Sequence, residues 1–275
     1  MAAGKSMPIL ISVLLRDVDL TPASRAKLDG VLNEEDIYRE WAPPPAWRHA
    51  VACCWEKRVT ADRVQRVVPD GHADLLMYES GAIEVVGLAD EVALPTLPAG
   101  TWVQGVRIRP EAVAATFRVT ASELTNRTIA GDDMFGARRA RKLIDQRALD
   151  AWLTSVQPDD RTAAATRLLA SLPVATAADE LGITIRQLRR ILVSNIGLAP
   201  KPYQRVVRFQ RFLAAAECGQ GLAAAAADAG YADQAHLTRE VRALTAVTPA
   251  LLLKERLGDR PSADTTATPT GRPGQ

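Results

Sequence analysis

The sequence predicts an α+β chain. A β-rich N-terminal domain, barrel or cupin-like, precedes an all-α domain holding two helix-turn-helix units. Three observations lead there. The last hundred residues contain one pattern twice, AADELGITIRQLRRILV from Ala177 and AAADAGYADQAHLTREVR from Ala225. Before them, residues 36 to about 135 carry short apolar runs punctuated by Pro and Gly, as expected of strands joined by tight turns. Between the two regions, Arg138 to Val156 returns to helical period, with Leu143, Ile144, Leu149, Trp152 and Leu153 as the expected buried stripe.

Taken in order, residues 1–35 form an N-terminal extension with no assigned role. Its apolar stretch from Met7 to Leu15 follows Lys5 and runs directly into Arg16, Asp17 and Asp19. No small-residue cleavage site intervenes, so a folded segment is favoured over an export signal. Thr21 stands where it could cap a short helix. Residues 36–156 make the β-rich sensing or regulatory domain, ending in helix. Its expected strands are Ala50 to Trp55, Val64 to Val68, Asp74 to Tyr78, Ile83 to Val86 and Thr101 to Ile108. The aromatic residues Tyr38, Trp41, Trp47, Trp55, Tyr78 and Trp102 concentrate here, as core packing or as walls of an apolar pocket. Gln157-Pro158-Asp159-Asp160 is the expected linker, and residues 157–257 form the second domain. From residue 258 to 275 the tail has no large apolar residue, which predicts disorder.

Each repeated unit reads as an Ala-rich helix, a turn opened by glycine (Gly182, Gly230), an N-cap (Thr184, Asp233) and an amphipathic second helix. Four residues before each glycine stands alanine (Ala178, Ala226), where two crossing helices need a small side chain. Counting from the N-cap, position +4 is leucine (Leu188, Leu237) and position +6 arginine (Arg190, Arg239). In the first unit Leu188, Ile191 and Leu192 should face inward. Arg186, Arg189, Arg190 and Val193 share another face at helical spacing. In the second, Leu237, Val241 and Leu244 should face inward, with Ala235, Thr238, Arg239 and Arg242 outside. For either helix alone, a solvated basic face would explain the pattern. Its recurrence in two registered units points to the major groove, where an arginine forks onto guanine and small residues rest on thymine methyls.

These residues resemble the AraC/XylS family of bacterial transcription regulators. The resemblance spans about Ala163 to Leu257 and rests on AADELGITIRQLRR, GLAPKPYQRVVRFQRF and GYADQAHLTREVRALTAVTP. It implies that the outer residues of both second helices enter successive major grooves. The connecting helix from about Lys201 to Glu217 would hold them one DNA turn apart, roughly 34 Å. The implied DNA-binding residues are Thr184, Arg186, Gln187, Arg189 and Arg190 in the first unit. Gln234, Ala235, His236, Thr238, Arg239 and Arg242 are those of the second. The family's glycine-x-x-proline-like turn appears as Gly197-Leu198-Ala199-Pro200 and Ala246-Val247-Thr248-Pro249. Ala246 departs from the usual glycine, and Val241 and Leu192 from phenylalanines. The strings YREWAPPPAWRHAVACCWEKR, VVPDGHADLLM and WVQGVRIRPEAV resemble an uncharacterised N-terminal domain of some actinobacterial-type AraC-like regulators.

Charge fits a DNA-binding reading. The whole chain is only +2, but residues 161–257 hold 13 Lys and Arg against 7 Asp and Glu, which is +6 and leaves −4 elsewhere. A basic domain beside an acidic one finds DNA electrostatically without adhering everywhere. On the connecting helix Arg205 and Arg208, with Arg211, are phosphate candidates or a solvated face. The expected partner is double-stranded DNA at promoter sites. RNA polymerase, a small-molecule effector and a second copy of the chain stand as further candidates, and no membrane or cofactor is expected.

The three cysteines, Cys53, Cys54 and Cys218, form neither a disulfide framework nor a CxxC site, which suits the cytoplasm. An enzyme is the rival class, metal-dependent or for DNA repair, carrying an AraC-like module. Its best candidate is Asp70-Gly71-His72-Ala73-Asp74, two carboxylates and an imidazole within five residues. However, this run opens as a turn, and two-residue alternation would place only His72 and Asp74 on one strand face, with no third ligand visible. Cys53-Cys54-Trp55 lacks the PCHR-like setting of a repair cysteine, and no GxSxG, P-loop, Rossmann or HExxH pattern is present. The expectation is a regulator with no catalytic, cofactor or metal site.

Overall fold

The computed structural model describes residues 36–257. The expectations for residues 1–35, including the Thr21 cap, and for the tail from 258 lie outside the described residues. Strands β1 (Ile37–Trp41), β2 (Val51–Arg58), β4 (Ala73–Tyr78), β5 (Ile83–Val86), β7 (Trp102–Ile108) and β8 (Thr128–Ala130) make one antiparallel sheet in the order β1-β2-β7-β4-β5-β8. A separate ribbon pairs β3 (Arg63–Val64) with β6 (Thr96–Leu97). Among the described residues the sheet is open, with β1 and β8 at its edges, rather than closed as a barrel. Three-residue β8 reaches only β5, and too few ladder bonds exist there to carry the curve round.

Alternation sets the two faces of the sheet. Ala73, Leu75 and Met77 of β4, Ile83 and Val85 of β5, and Val106 and Ile108 of β7 are buried on one side. Against the core pack α1 (Val113–Phe117), α2 (Gly131–Phe135), α3 (Ala137–Leu143) and α4 (Gln146–Thr154). The helical stretch expected from Arg138 to Val156 is thus two helices. Asp145 accepts a hydrogen bond from Ala148 N at 3.0 Å and starts the second, which leaves Ile144 exposed instead of in the expected stripe. Fully buried Trp47 donates Nε1–H to Asp150 at 2.8 Å, and Phe117, Phe135 and Trp152 stack edge-on or tilted.

The opposite face has one tight seat. A Cβ on Gly105 would lie 2.0 Å from the Trp55 ring, so only glycine lets the indole lie flat over β7. There Trp55 Nε1–H donates to Asp74 at 3.0 Å.

The remainder is helical: α5 (Asp160–Leu169), α6 (Val174–Glu180), α7 (Ile185–Asn195), α8 (Pro200–Glu217), α9 (Leu222–Ala229), α10 (Gln234–Thr245) and α11 (Pro249–Leu257). Pro200 and Pro249 open α8 and α11 at the first helical position, where a missing N–H costs nothing. Helix α8 is the axis of this half. Tyr203, Val206, Phe209, Phe212 and Leu213 are buried along it at helical spacing. The two halves share one continuous apolar cluster, from Trp47 to Leu252. At the joint, Val156 is buried and Asp159 caps α5 by accepting from Thr162 N at 2.7 Å.

Candidate nucleic-acid interface

The two units have the same local construction. Gly182 (φ +63°) and Gly230 (φ +88°) both sit in the left-handed region, so each turn needs glycine at that point. Thr184 accepts a hydrogen bond from Gln187 N at 3.2 Å, and the Gln187 side chain accepts from Thr184 N at 2.8 Å, closing a capping box. Asp233 caps α10 by accepting from His236 N at 2.6 Å. Leu188 and Leu192 in one unit, and Leu237, Val241 and Leu244 in the other, are buried. Ala178 and Ala226 are buried at the helix crossings.

Outside this core the arginines stand in the open. Arg186, Arg189 and Arg190 on α7 are exposed, as are Gln234, Ala235, Arg239 and Arg242 on α10. Some sequence candidates also make contacts within the fold. Gln187 and Thr184 bond to one another. His236 Nδ1 accepts from Ala232 N at 3.3 Å, and its ring packs edge-on against Tyr231 with centroids 5.3 Å apart. The Thr238 hydroxyl donates to Gln234 O at 2.8 Å. Of the phosphate candidates, Arg205 pairs with Glu240 of α10 at 3.0 Å, and Arg208 lies over the Tyr231 ring at 5.6 Å. Both tie α8 to the second unit, a role that periodicity along one helix could not reveal.

The turns after α7 and α10 are also equivalent, but their residues differ. Gly197 has φ +88° and Ala246 φ +62°. A Cβ at Gly197 would come within 2.4 Å of Thr125 Oγ1 and 2.8 Å of Ala121 O, because the N-terminal half packs on this turn. Ala246 is exposed, so alanine is tolerated there at the cost of left-handed strain. An Ala246→Gly substitution is expected to stabilise the chain by about 1 kcal/mol, since an L-side chain costs that much in this region. Denaturant titration should show a higher midpoint at unchanged slope.

The Asp70–Asp74 run is taken up internally. Asp70 accepts from His72 N at 2.9 Å, and Arg107 Nε lies 3.3 Å from Asp70 and 3.4 Å from Asp74. Burial opposes ionisation of Asp70, but His72 and Arg107 hold it below the usual carboxylate range. Burial prevails at Asp74 and raises it. Among the described residues, no group of three or more His, Cys, Asp or Glu is placed to hold a metal. Burial pushes the Cys53 and Cys54 thiols up to about 12, far from the thiolate that a redox or transfer cysteine requires. A groove of about 340 Å³ lies where this loop meets α8, lined by Asp70, His72, Tyr203, Val207, Gln210 and Arg211 among others. No described helix is long and apolar enough to cross a membrane.

Comparison with known proteins gives two family matches. Residues 177–255 match a family model described as a helix-turn-helix domain, and residues 39–130 match a domain of unknown function (DUF6597). A search of curated proteins found no match. Among solved structures, the chain is similar to ToxT from Vibrio cholerae O395, at 10% identity and a TM-score of 0.44, covering 74% of this chain and 97% of that one. It is also similar to unsaturated fatty acid-bound wild-type ToxT from Vibrio cholerae strain SCE256, at 11% identity and a TM-score of 0.38, covering 74% and 90%. With two registered helix-turn-helix units on one connecting helix, residues 177–255 form a helix-turn-helix domain of the kind that the AraC-type resemblance implies.

Proposed function

We propose that α7 and α10 read two successive major grooves, with sequence choice carried by exposed side chains on both. The observation that carries this reading is the matching pair of capped helices, each with an exposed arginine at position +6 from its cap (Arg190, Arg239). Helix α8, with 18 residues, is about 27 Å long at the α-helical rise, a suitable brace between grooves roughly 34 Å apart. Arg186, Arg189 and Arg190 serve as base readers of the first unit, and Arg239 is the principal reader of the second, with Gln234, Ala235 and Thr238 beside it. Thr184, Gln187 and His236 act from the helix starts: their own backbone N–H groups are taken by the caps, and they set the helix N-termini whose positive dipole ends favour phosphates.

The N-terminal half contacts the reading units away from these exposed faces, so it controls DNA binding through the packed joint rather than by covering the readers. It takes the sensing or dimerising role, residues 36–156 forming that domain and 157–257 the DNA-binding one. A small-molecule effector, a second copy of the chain and RNA polymerase are its proposed partners, in the cytoplasm and without catalysis. Selection of bound duplexes from a random pool tests the reading. A recurrent two-part site supports it, and no enrichment at low salt by the folded protein overturns it.

Arg242 is assigned to a phosphate. An Arg242→Ala variant is expected to lose affinity almost equally on all sequences and to lower the salt slope by about one unit. Titrations at several salt concentrations check this, and a sequence-selective loss at unchanged slope makes Arg242 a base reader.

A further inference from the structure

We infer that the N-terminal half sets the spacing between the two reading helices by gripping each at its C-terminal end, and that Arg66 is the positioning residue for the second. The inference rests on the two-groove reading above. Thr125 donates its hydroxyl to Gly197 O at 2.9 Å, at the turn that ends α7. Arg66 donates Nη1–H to Thr245 O at 2.7 Å, at the last residue of α10. Counted from the caps Thr184 and Asp233, these acceptors fall at positions +13 and +12. One domain therefore holds both copies of a repeat at nearly the same place.

The chemistry suits a grip. The last carbonyls of a helix have no partner within it, and the negative end of the helix dipole favours a cation there. Arg66 answers both needs, and its Nε donates to Glu255 of α11 at 2.8 Å, so one guanidinium bridges α10 and α11. The side chain is only 21% exposed, which strengthens both contacts relative to a free surface pair.

The mount of Arg66 is itself tied to the sheet. Arg66 follows the short strand β3, and three residues later Pro69 O accepts from Gln210 of α8 at 2.5 Å. Next in the loop, Asp70 is held by Arg107 of the central strand β7. Gly71 follows, and its backbone comes close enough to α8 that a Cβ there would sit 3.7 Å from Val206. The second reading helix is thus referenced through one loop to β7, and the first through Thr125 to the same domain. Within the helical half, α10 is also held to α8 by Arg205–Glu240. Arg66 adds the constraint at the far end of α10, which fixes its direction as well as its position. Exposed reading faces and clamped C-terminal ends are what a spacer requires, since the N-terminal part of a reading helix enters the groove.

Duplexes carrying the two selected half-sites, at separations one and two base pairs shorter and longer than one turn of roughly 10–10.5 base pairs, test this in the full chain. The wild type should show a sharp optimum. Arg66→Ala should reduce the preference for the best spacing over its neighbours by about tenfold, the worth of a charged hydrogen bond, with binding to a single half-site unchanged. Arg66→Lys keeps the charge but reaches only one of the two acceptors, so it should fall between. It also carries the test by itself if the alanine variant fails to fold, because a lysine profile identical to wild type overturns the inference. An equal loss at every spacing for Arg66→Ala overturns it as well, showing a merely electrostatic or stabilising role. A wild type that selects no two-part site refutes the two-groove reading instead.

Discussion

Alanine at Arg186, Arg189 or Arg190 is expected to weaken binding to the selected site by about 1–3 kcal/mol for at least one of the three, a five- to 150-fold loss. Preference should relax at one base pair of the first half-site while the second half-site is read as before. These side chains are exposed on a helix whose buried face, Leu188 and Leu192, they do not touch in sequence register. Their removal should therefore leave the melting temperature nearly unchanged, which separates lost recognition from lost fold. Gel-shift titration against the selected site and its single-base variants reads both numbers. Three alanine variants with wild-type affinity and preference would remove α7 as a base-reading helix.

A large effect on the fold is expected from Gly197→Ala. The change combines left-handed strain of about 1–2 kcal/mol with a collision. The new Cβ would meet Thr125 Oγ1 at 2.4 Å and the Ala121 backbone at 2.8 Å. The hydroxyl can rotate away, but the backbone carbonyl yields only if the two halves part. A total loss of about 3 kcal/mol follows, a large fraction of ordinary domain stability. Thr125→Ala in the same chain should recover part of it by removing one of the two obstacles. Denaturant melts of both variants measure the difference. The matching position in the other unit already holds alanine, Ala246, so the prediction depends on what packs against the turn and not on the turn alone.

Much of the helical half was legible in the sequence because its determinants are local. Caps at Thr184 and Asp233, turn glycines 182 and 230, and buried leucines 188 and 237 follow from spacing within about fifteen residues, and each is found in place. The middle strands β2, β4, β5 and β7 were readable for a similar reason, since they carry apolar runs. Strand β1 was not: its IYREW alternates, with Tyr38 and Glu40 left on the less buried face. Short β6 and β8 owe their pairing to neighbours far along the chain. The same limit hid the partners of the basic residues. Arg205 and Arg208 read as phosphate clamps, yet Glu240 and Tyr231 lie more than twenty residues away. Arg66 gave no pattern at all, because its acceptors are 179 and 189 residues distant.

The unbroken apolar cluster makes the two halves thermodynamically one body. A molecule that binds only the folded N-terminal half adds RT ln(1 + [L]/Kd) to the stability of everything that unfolds with it. Because Tyr203 and Val206 of the helical half belong to the same cluster as Leu75 and Val106 of the sheet, that increment reaches the reading helices too. Occupancy at one end is thereby written into the persistence of structure at the other, without any change of shape.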